Sequence, residues 1–176
     1  IIQVVHLSSE AALERCIAAR KRGVQVHVET RPLYLHLTKE VFGRPDAAKY
    51  IGNPPPRGSR DRDRLWAGLA AGEVDTIASD HAPWTLEQKL RAGPDIMGLL
   101  PGVADLETML PMLFSEGVIT GRLTPSQFAA VTSTNPARLF GLSPDKGDIA
   151  VGADADLVLW DPEFRWVIDG GIMESG

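Results

Sequence analysis

The chain has 176 residues, 44% of them hydrophobic and 23% charged, with a formal net charge of −5. That bounds it to one globular domain, or one and a part, and the scattered basic residues argue against nucleic acid as a partner. No apolar run is long enough to cross a bilayer as a helix, so no membrane partner is expected. Cys16 is the only cysteine, which excludes an internal disulfide and makes a reducing cytoplasm the expected compartment.

Ile2 to His6 reads as a buried strand. Ser8 and Ser9 open a helix whose apolar face carries Leu13, Cys16 and Ile17, and Gly23 stops it. Val24 to Glu29 forms a second strand, completing a βαβ unit and hence a parallel sheet with a right-handed crossover. A chain that opens within a strand, without initiator Met, cap or signal peptide, is expected to be the later part of a longer one. Thr30 to Ser59 is a long connection holding Pro54-Pro55-Pro56, with small elements expected at Leu35 to Thr38 and Lys49 to Ile51. Ser59 is the predicted cap of a helix with Asp61 and Asp63 in its first turn, Leu65 and Leu69 buried, and Gly72 at its end. Residues 74–79 form a third strand.

Asp105 opens a further helix bearing Leu106, Met109, Leu110 and Leu113 on one face. Thr124-Pro125 and Asn135-Pro136 start two short helices, with Phe128, Val131, Leu139 and Phe140 in the core. From Gly147 the texture changes to short strands joined by turns, a β module too small to close a core alone. A closed (β/α)8 barrel needs about 250 residues. The pattern therefore fits either the last part of such a barrel or an open doubly wound sheet.

Candidate chemistry gathers where strands end. His6 closes the first strand, and Asp80 and His81 stand where the third must stop before Pro83. In parallel α/β folds the carboxyl ends of strands carry the site. His and Asp suit Zn²⁺ or a similar divalent ion, but a catalytic zinc needs at least three protein ligands. The bland alternative is that Asp80 caps a turn and His81 bonds to backbone. His27 and His36 alternate with apolar neighbours and read as packing residues, as do Trp66, Trp84, Trp160 and Trp166. No G-x-S-x-G elbow, P-loop or G-x-G-x-x-G is present, and Cys16 lies on an apolar helix face.

Ile77-Ala78-Ser79-Asp80-His81-Ala82-Pro83, followed by Thr85-Leu86-Glu87-Gln88-Lys89, resembles the signature of the cyclic-amide amidohydrolases: dihydroorotases, allantoinases and dihydropyrimidinases or hydantoinases. Other stretches match in the same order. Val5-His6-Leu7-Ser8 resembles the strand supplying a metal-binding histidine, and Glu29-Thr30-Arg31-Pro32-Leu33-Tyr34-Leu35 the E-T-C-P-Q-Y-L segment of dihydropyrimidinases. Asn53-Pro54-Pro55-Pro56-Arg57 resembles the N-P-P-L-R of dihydroorotases, and Leu100-Pro101-Gly102-Val103 an L-P-G-V/I segment near the substrate. Gly147 to Pro162 resembles the return of the chain into a small β-sandwich. Arg31 departs from the pattern's Cys, and Gly98 stands where dihydropyrimidinases have Asn.

The resemblance implies an α/β fold: the C-terminal part of a metal-dependent (β/α)8 TIM-like barrel over 1–143, then part of a β-sandwich over 144–176. It implies a hydrolase that opens a small cyclic amide or imide by a metal-bound hydroxide, with two Zn²⁺ per complete site. His6 and Asp80 would be metal ligands, Asp80 also the catalytic proton shuttle, and Asn53, Gly98 and Gly102 would contact the ring. The family's H-x-H, carboxylated lysine and first later histidine have no counterpart here, so these residues alone are expected to be inactive. A homo-oligomer is expected. Two other readings stand beside this one. The first is a non-catalytic dihydropyrimidinase-like oligomeric scaffold; the second is an open-sheet binding protein in which His6 and Asp80 do not converge.

Overall fold

Three short strands lie side by side in a parallel sheet ordered β1 (Ile2–Val4), β2 (Val26–Thr30) and β3 (Thr76–Ile77) in a computed structural model that describes residues 1–91 and 96–174. Ile2 pairs with Val26 and Val4 with Val28, while Thr30 pairs with Ile77. Along β2, Val26, Val28 and Thr30 are buried and His27 and Glu29 only half-buried, the period-two alternation of a pleated strand. Sequence patterning predicts longer flanking strands, to His6 and from residue 74 to 79. Regular strand geometry in β1 ends at Val4, and two residues on the chain turns left-handed at His6, φ +40°. Val74 stays fully buried although it lies outside β3.

Helix α1 (Glu10–Lys21) begins at Ser9, whose hydroxyl accepts from the Ala12 N–H at 3.3 Å. It packs on α3 (Ser59–Ala70) through Leu13, and here a glycine is required. A Cβ on Gly68 would lie 2.8 Å from Leu13 Cδ2. The expected Ser59 cap is corrected: Gly58 holds the cap position and Ser59 is the first helical residue. Asp61 does the capping, accepting from the Gly58 N–H at 3.2 Å and from the Glu10 N–H at 2.9 Å, which joins the starts of the two helices.

The connection between β2 and α3 holds α2 (Pro32–His36) and two 3₁₀ turns, Lys39–Gly43 and Ala47–Tyr50. After β3 come α4 (Leu86–Arg91), α5 (Leu106–Leu113), α6 (Pro125–Ala129) and α7 (Asn135–Leu139). Phe140 is 60% exposed rather than packed, and Ala137 takes the buried position on that turn.

A charged staple closes the amino end of the sheet. Arg20 donates to the Val26 and Glu73 carbonyls, each at 2.8 Å, and pairs with Asp75, which also accepts from the Val28 N–H at 2.6 Å. Asn135 Nδ2 then donates to the Asp75 carbonyl at 2.9 Å, bringing α7 to the same point.

The strands expected from Gly147 onward do not form among the described residues. A strand needs a hydrogen-bonded neighbour, and none of the described segments supplies one. Turns and extended chain take their place, with Ile149, Leu159 and Val167 more than 80% exposed. Trp160 packs this segment onto the helices, stacking on Phe114 at 4.5 Å between ring centres and meeting Phe128 edge-on at 5.5 Å.

Candidate functional site

Two residues stand out by backbone alone. His6 (φ +40°) and Asp80 (φ +46°) are the non-glycine residues in the left-handed region among those described. This conformation costs an L-residue ~1–2 kcal/mol and is concentrated at functional positions. Each follows the carboxyl end of a strand, β1 and β3, with β2 between them. The ladder continues into the two turns: the Leu7 N–H donates to the Glu29 carbonyl at 2.8 Å and the Ala78 N–H to the Thr30 carbonyl at 3.1 Å.

Glu29 on the middle strand responds to both. Burial lifts its carboxyl above the usual range, the backbone N–H and ring of His6 pull it back, and Asp80 pushes it up again. His6, Glu29 and Asp80 thus share one electrostatic environment at the carboxyl end of the sheet.

Arg31 underlies Asp80. Its side chain is fully buried, and it donates from Nε to the Ser79 carbonyl at 3.0 Å and from Nη2 to the Asp80 carbonyl at 3.1 Å. Nη1 lies 2.8 Å from Asp80 Oδ2, a contact of charge whose angle is too poor for a directed hydrogen bond. Asp105 completes the group, with Oδ2 3.8 Å from Arg31 Nη2. The sequence places Asp105 as a helix opener, and it does hold the cap position of α5, but its side chain makes no capping bond. Both carboxyl oxygens are buried without a hydrogen bond among the described residues. Burial raises the Asp105 pKa, Arg31 draws it down and Asp80 raises it, for a net value of about 6.

His81 uses Nδ1 to accept from the Leu106 N–H at 3.2 Å. It therefore ties the Asp80 turn to the start of α5, as the bland alternative for this residue foresees.

Among the ring-contact candidates, Gly102 is joined by Lys89 to the chain just ahead of Asn53. Its ammonium, 6% exposed, donates to the carbonyls of Ile51 and Gly102. Burial, together with the nearby Arg31, lowers its pKa to about 8. The Gly102 N–H also donates to the Ile51 carbonyl, at 2.9 Å, so the Asn53 loop and the Gly102 loop are fastened together. Gly102 needs to be glycine, with φ +113° and an added Cβ only 2.4 Å from Ala82 Cβ. Asn53 itself is exposed at the head of its loop, and Tyr34 holds the next residue by donating to the Pro54 carbonyl at 2.8 Å. Gly98 is exposed at the end of a 3₁₀ turn (Ile96–Gly98).

Arg31, Asp105, Lys89 and Glu29 were not singled out as site residues by sequence reasoning. Buried charges become visible only when the partners that compensate them are placed. The one signal available was Arg31, which breaks the E-T-C-P-Q-Y-L pattern.

His27 and His36 stay outside the group: His27 sits 3.7 Å from Asp75 and His36 packs edge-on against Trp66. Among the described residues no cluster of three or more His, Cys, Asp and Glu has metal-binding spacing. His6 and Asp80 are of the residue types that ligate divalent ions.

This chain belongs to the amidohydrolase family, whose model matches residues 5–173. More particularly, it is 41% identical to a D-hydantoinase of Rhizobium radiobacter and 42% identical to a D-hydantoinase of Ralstonia pickettii. Each alignment covers 99% of the chain but 38% of the relative, so the chain spans well under half the length of these proteins. The solved D-hydantoinase (dihydropyrimidinase) from Thermus sp. superposes with a TM-score of 0.91 at 42% identity, over 94% of this chain and 37% of that one. The parallel strands and their helices are thus α/β units of the amidohydrolase barrel.

Proposed function

We propose that the protein is a metal-dependent hydrolase that opens a cyclic amide of the hydantoin or dihydropyrimidine type, with Zn²⁺ as the metal. The observation that carries this reading is the pair His6 and Asp80, each held left-handed after the carboxyl end of a parallel strand. The D-hydantoinase relatives favour a hydantoin-type ring over dihydroorotate, to which the Asn53 segment had pointed.

His6 would hold one metal through its imidazole and Asp80 the other through its carboxylate. The metals would supply acidity to a water molecule and polarise the ring carbonyl. Asp80, half-exposed and open to the site, would accept the proton of the attacking water and deliver it to the ring nitrogen as the C–N bond breaks. The fastened Asn53 and Gly102 loops would present backbone groups to the amide edge of the ring.

Asp80→Asn in the complete protein tests this. Asn keeps the shape and serves equally well in a turn, but it is a poor ligand and cannot take the proton. Loss of the acid–base role alone removes ~10²–10⁴-fold of kcat. The measurement is kcat/KM on hydantoin, dihydrouracil and dihydroorotate, with metal content on the same sample. Near-normal turnover at full metal occupancy would return Asp80 to the part of a turn residue.

A further inference from the structure

We propose that Arg31 is the positioning residue for Asp80: one buried guanidinium grips two successive carbonyls and one carboxylate oxygen of the Asp80 turn, and so sets where that carboxylate points. The inference deepens the hydrolase reading and rests on it for the role of Asp80.

Three contacts of the fork define the turn. Nε on the Ser79 carbonyl and Nη2 on the Asp80 carbonyl fix the peptide planes on either side of the Asp80 Cα. That is the unit whose φ of +46° lies in the left-handed region, uncommon for a residue with a side chain. Nη1, an undirected charge contact at 2.8 Å from Oδ2, then draws the carboxylate toward the guanidinium. A planar, rigid fork can hold three such points together, whereas an ammonium acts as a single point of charge.

The placement of Arg31 explains why it can do this. It is the first residue after β2 and holds the cap position of α2, so its Cα is tied to the middle of the sheet. Gly52 lies near the guanidinium: a Cβ added there would sit 3.9 Å from Nη1.

Asp105 supplies the second counter-charge. When Asp80 shares its charge with a metal, Arg31 still faces one buried carboxylate at 3.8 Å and is not left uncompensated. Buried ion groups are weak stabilisers compared with apolar packing, so stability alone gives little reason for the arrangement. Its effect falls on geometry.

The test compares wild type, Arg31→Lys and Arg31→Met in the complete protein. Arg31→Lys keeps the charge and loses the fork; Arg31→Met keeps the stem and loses both. Zn²⁺ affinity is measured by chelator competition, and kcat and KM on a hydantoin at 15 °C, with kcat expressed per bound Zn²⁺. Residues that orient metal ligands typically govern 10–100-fold in affinity or activity. Both variants should therefore show weaker Zn²⁺ binding, lower kcat per bound Zn²⁺, or both, on about that scale, with KM nearly unchanged. Wild-type affinity together with wild-type kcat in the variants would overturn the proposal, and would do so even if their unfolding temperatures fell. Because Zn²⁺ affinity needs no turnover, the hydrolase reading fails separately. Wild type inactive on every ring, with Zn²⁺ binding still weakened by Arg31→Lys, would refute the activity and sustain the positioning role.

Discussion

Gly102→Ala is the most direct probe of how the candidate site is held. The added methyl would sit 2.4 Å from Ala82 Cβ, where carbon atoms normally meet at about 3.5–4.0 Å. One of the two loops must therefore give by about 1 Å. The residue must also keep a φ of +113°, which for a non-glycine costs ~1–3 kcal/mol. Overpacking of this kind costs a further ~1–3 kcal/mol. Together the local penalty is about 2–6 kcal/mol if both loops stay in place. Ala82 is two residues from Asp80, and its N–H donates to the Val103 carbonyl at 3.1 Å, so relief of the clash moves the Asp80 turn. A displacement of about 1 Å at a reacting group can cost ~10²-fold in rate. The assay is a double-mutant cycle with Ala82→Gly, reading both the unfolding midpoint and kcat/KM. Ala82→Gly should restore the overpacking part in the Gly102→Ala background and leave the φ part. Additive single-variant effects, with no coupling in either readout, would refute the contact as the cause.

Asp105 should confer a pH-dependent cost. Its pKa rises from 3.8 to about 6, so the folded state binds that proton more tightly, and the stabilisation is full below 3.8 and lost as pH climbs through 6. At ~1.4 kcal/mol per pH unit this amounts to about 3 kcal/mol. Asp105→Asn lacks the effect, so denaturant melts from pH 4 to 7 should show the variant gaining on wild type as pH rises; a constant difference would count against it. Lys89 has the opposite sign: its pKa is lowered to about 8, so wild type should gain stability from pH 8 toward 10.5 as the buried ammonium deprotonates. Lys89→Met should lose that slope and unfasten the Gly102 carbonyl, leaving an unpaired group that costs ~1–3 kcal/mol. Raised KM on a hydantoin, with pH melts of both proteins, checks it.

Much of the scaffold was legible because its signals are local. Ser9, Gly23 and the spacing of Leu13 and Cys16 define α1 without any knowledge of its neighbours, and His6 and Asp80 lie where strand patterns break. The C-terminal segment misled because the apolar run Leu157 to Trp160 states a readiness to pair, and pairing depends on a partner elsewhere. Phe140 misled for a related reason: helical spacing says which face it shares, not whether that face is covered. Arg31 and Asp105 were illegible for a physical cause. Two opposite charges far apart in the chain are ordinary surface residues until the fold removes water from both.

The two ends of the sheet carry opposite burdens. At the amino end, Arg20, Asp75 and Asn135 satisfy one another and the backbone around them. At the carboxyl end, among the described residues, stand two left-handed residues and a carboxylate without hydrogen bonds. Cohesion is thus concentrated where no chemistry is proposed. Exposed positions in the carboxyl-end loops can therefore change without disturbing the amino-end staple, whereas Arg31 and Gly102 are held by their contacts. A change in ring preference would need only that end to be rewritten, while Arg20 and Asp75 keep the strands in register throughout.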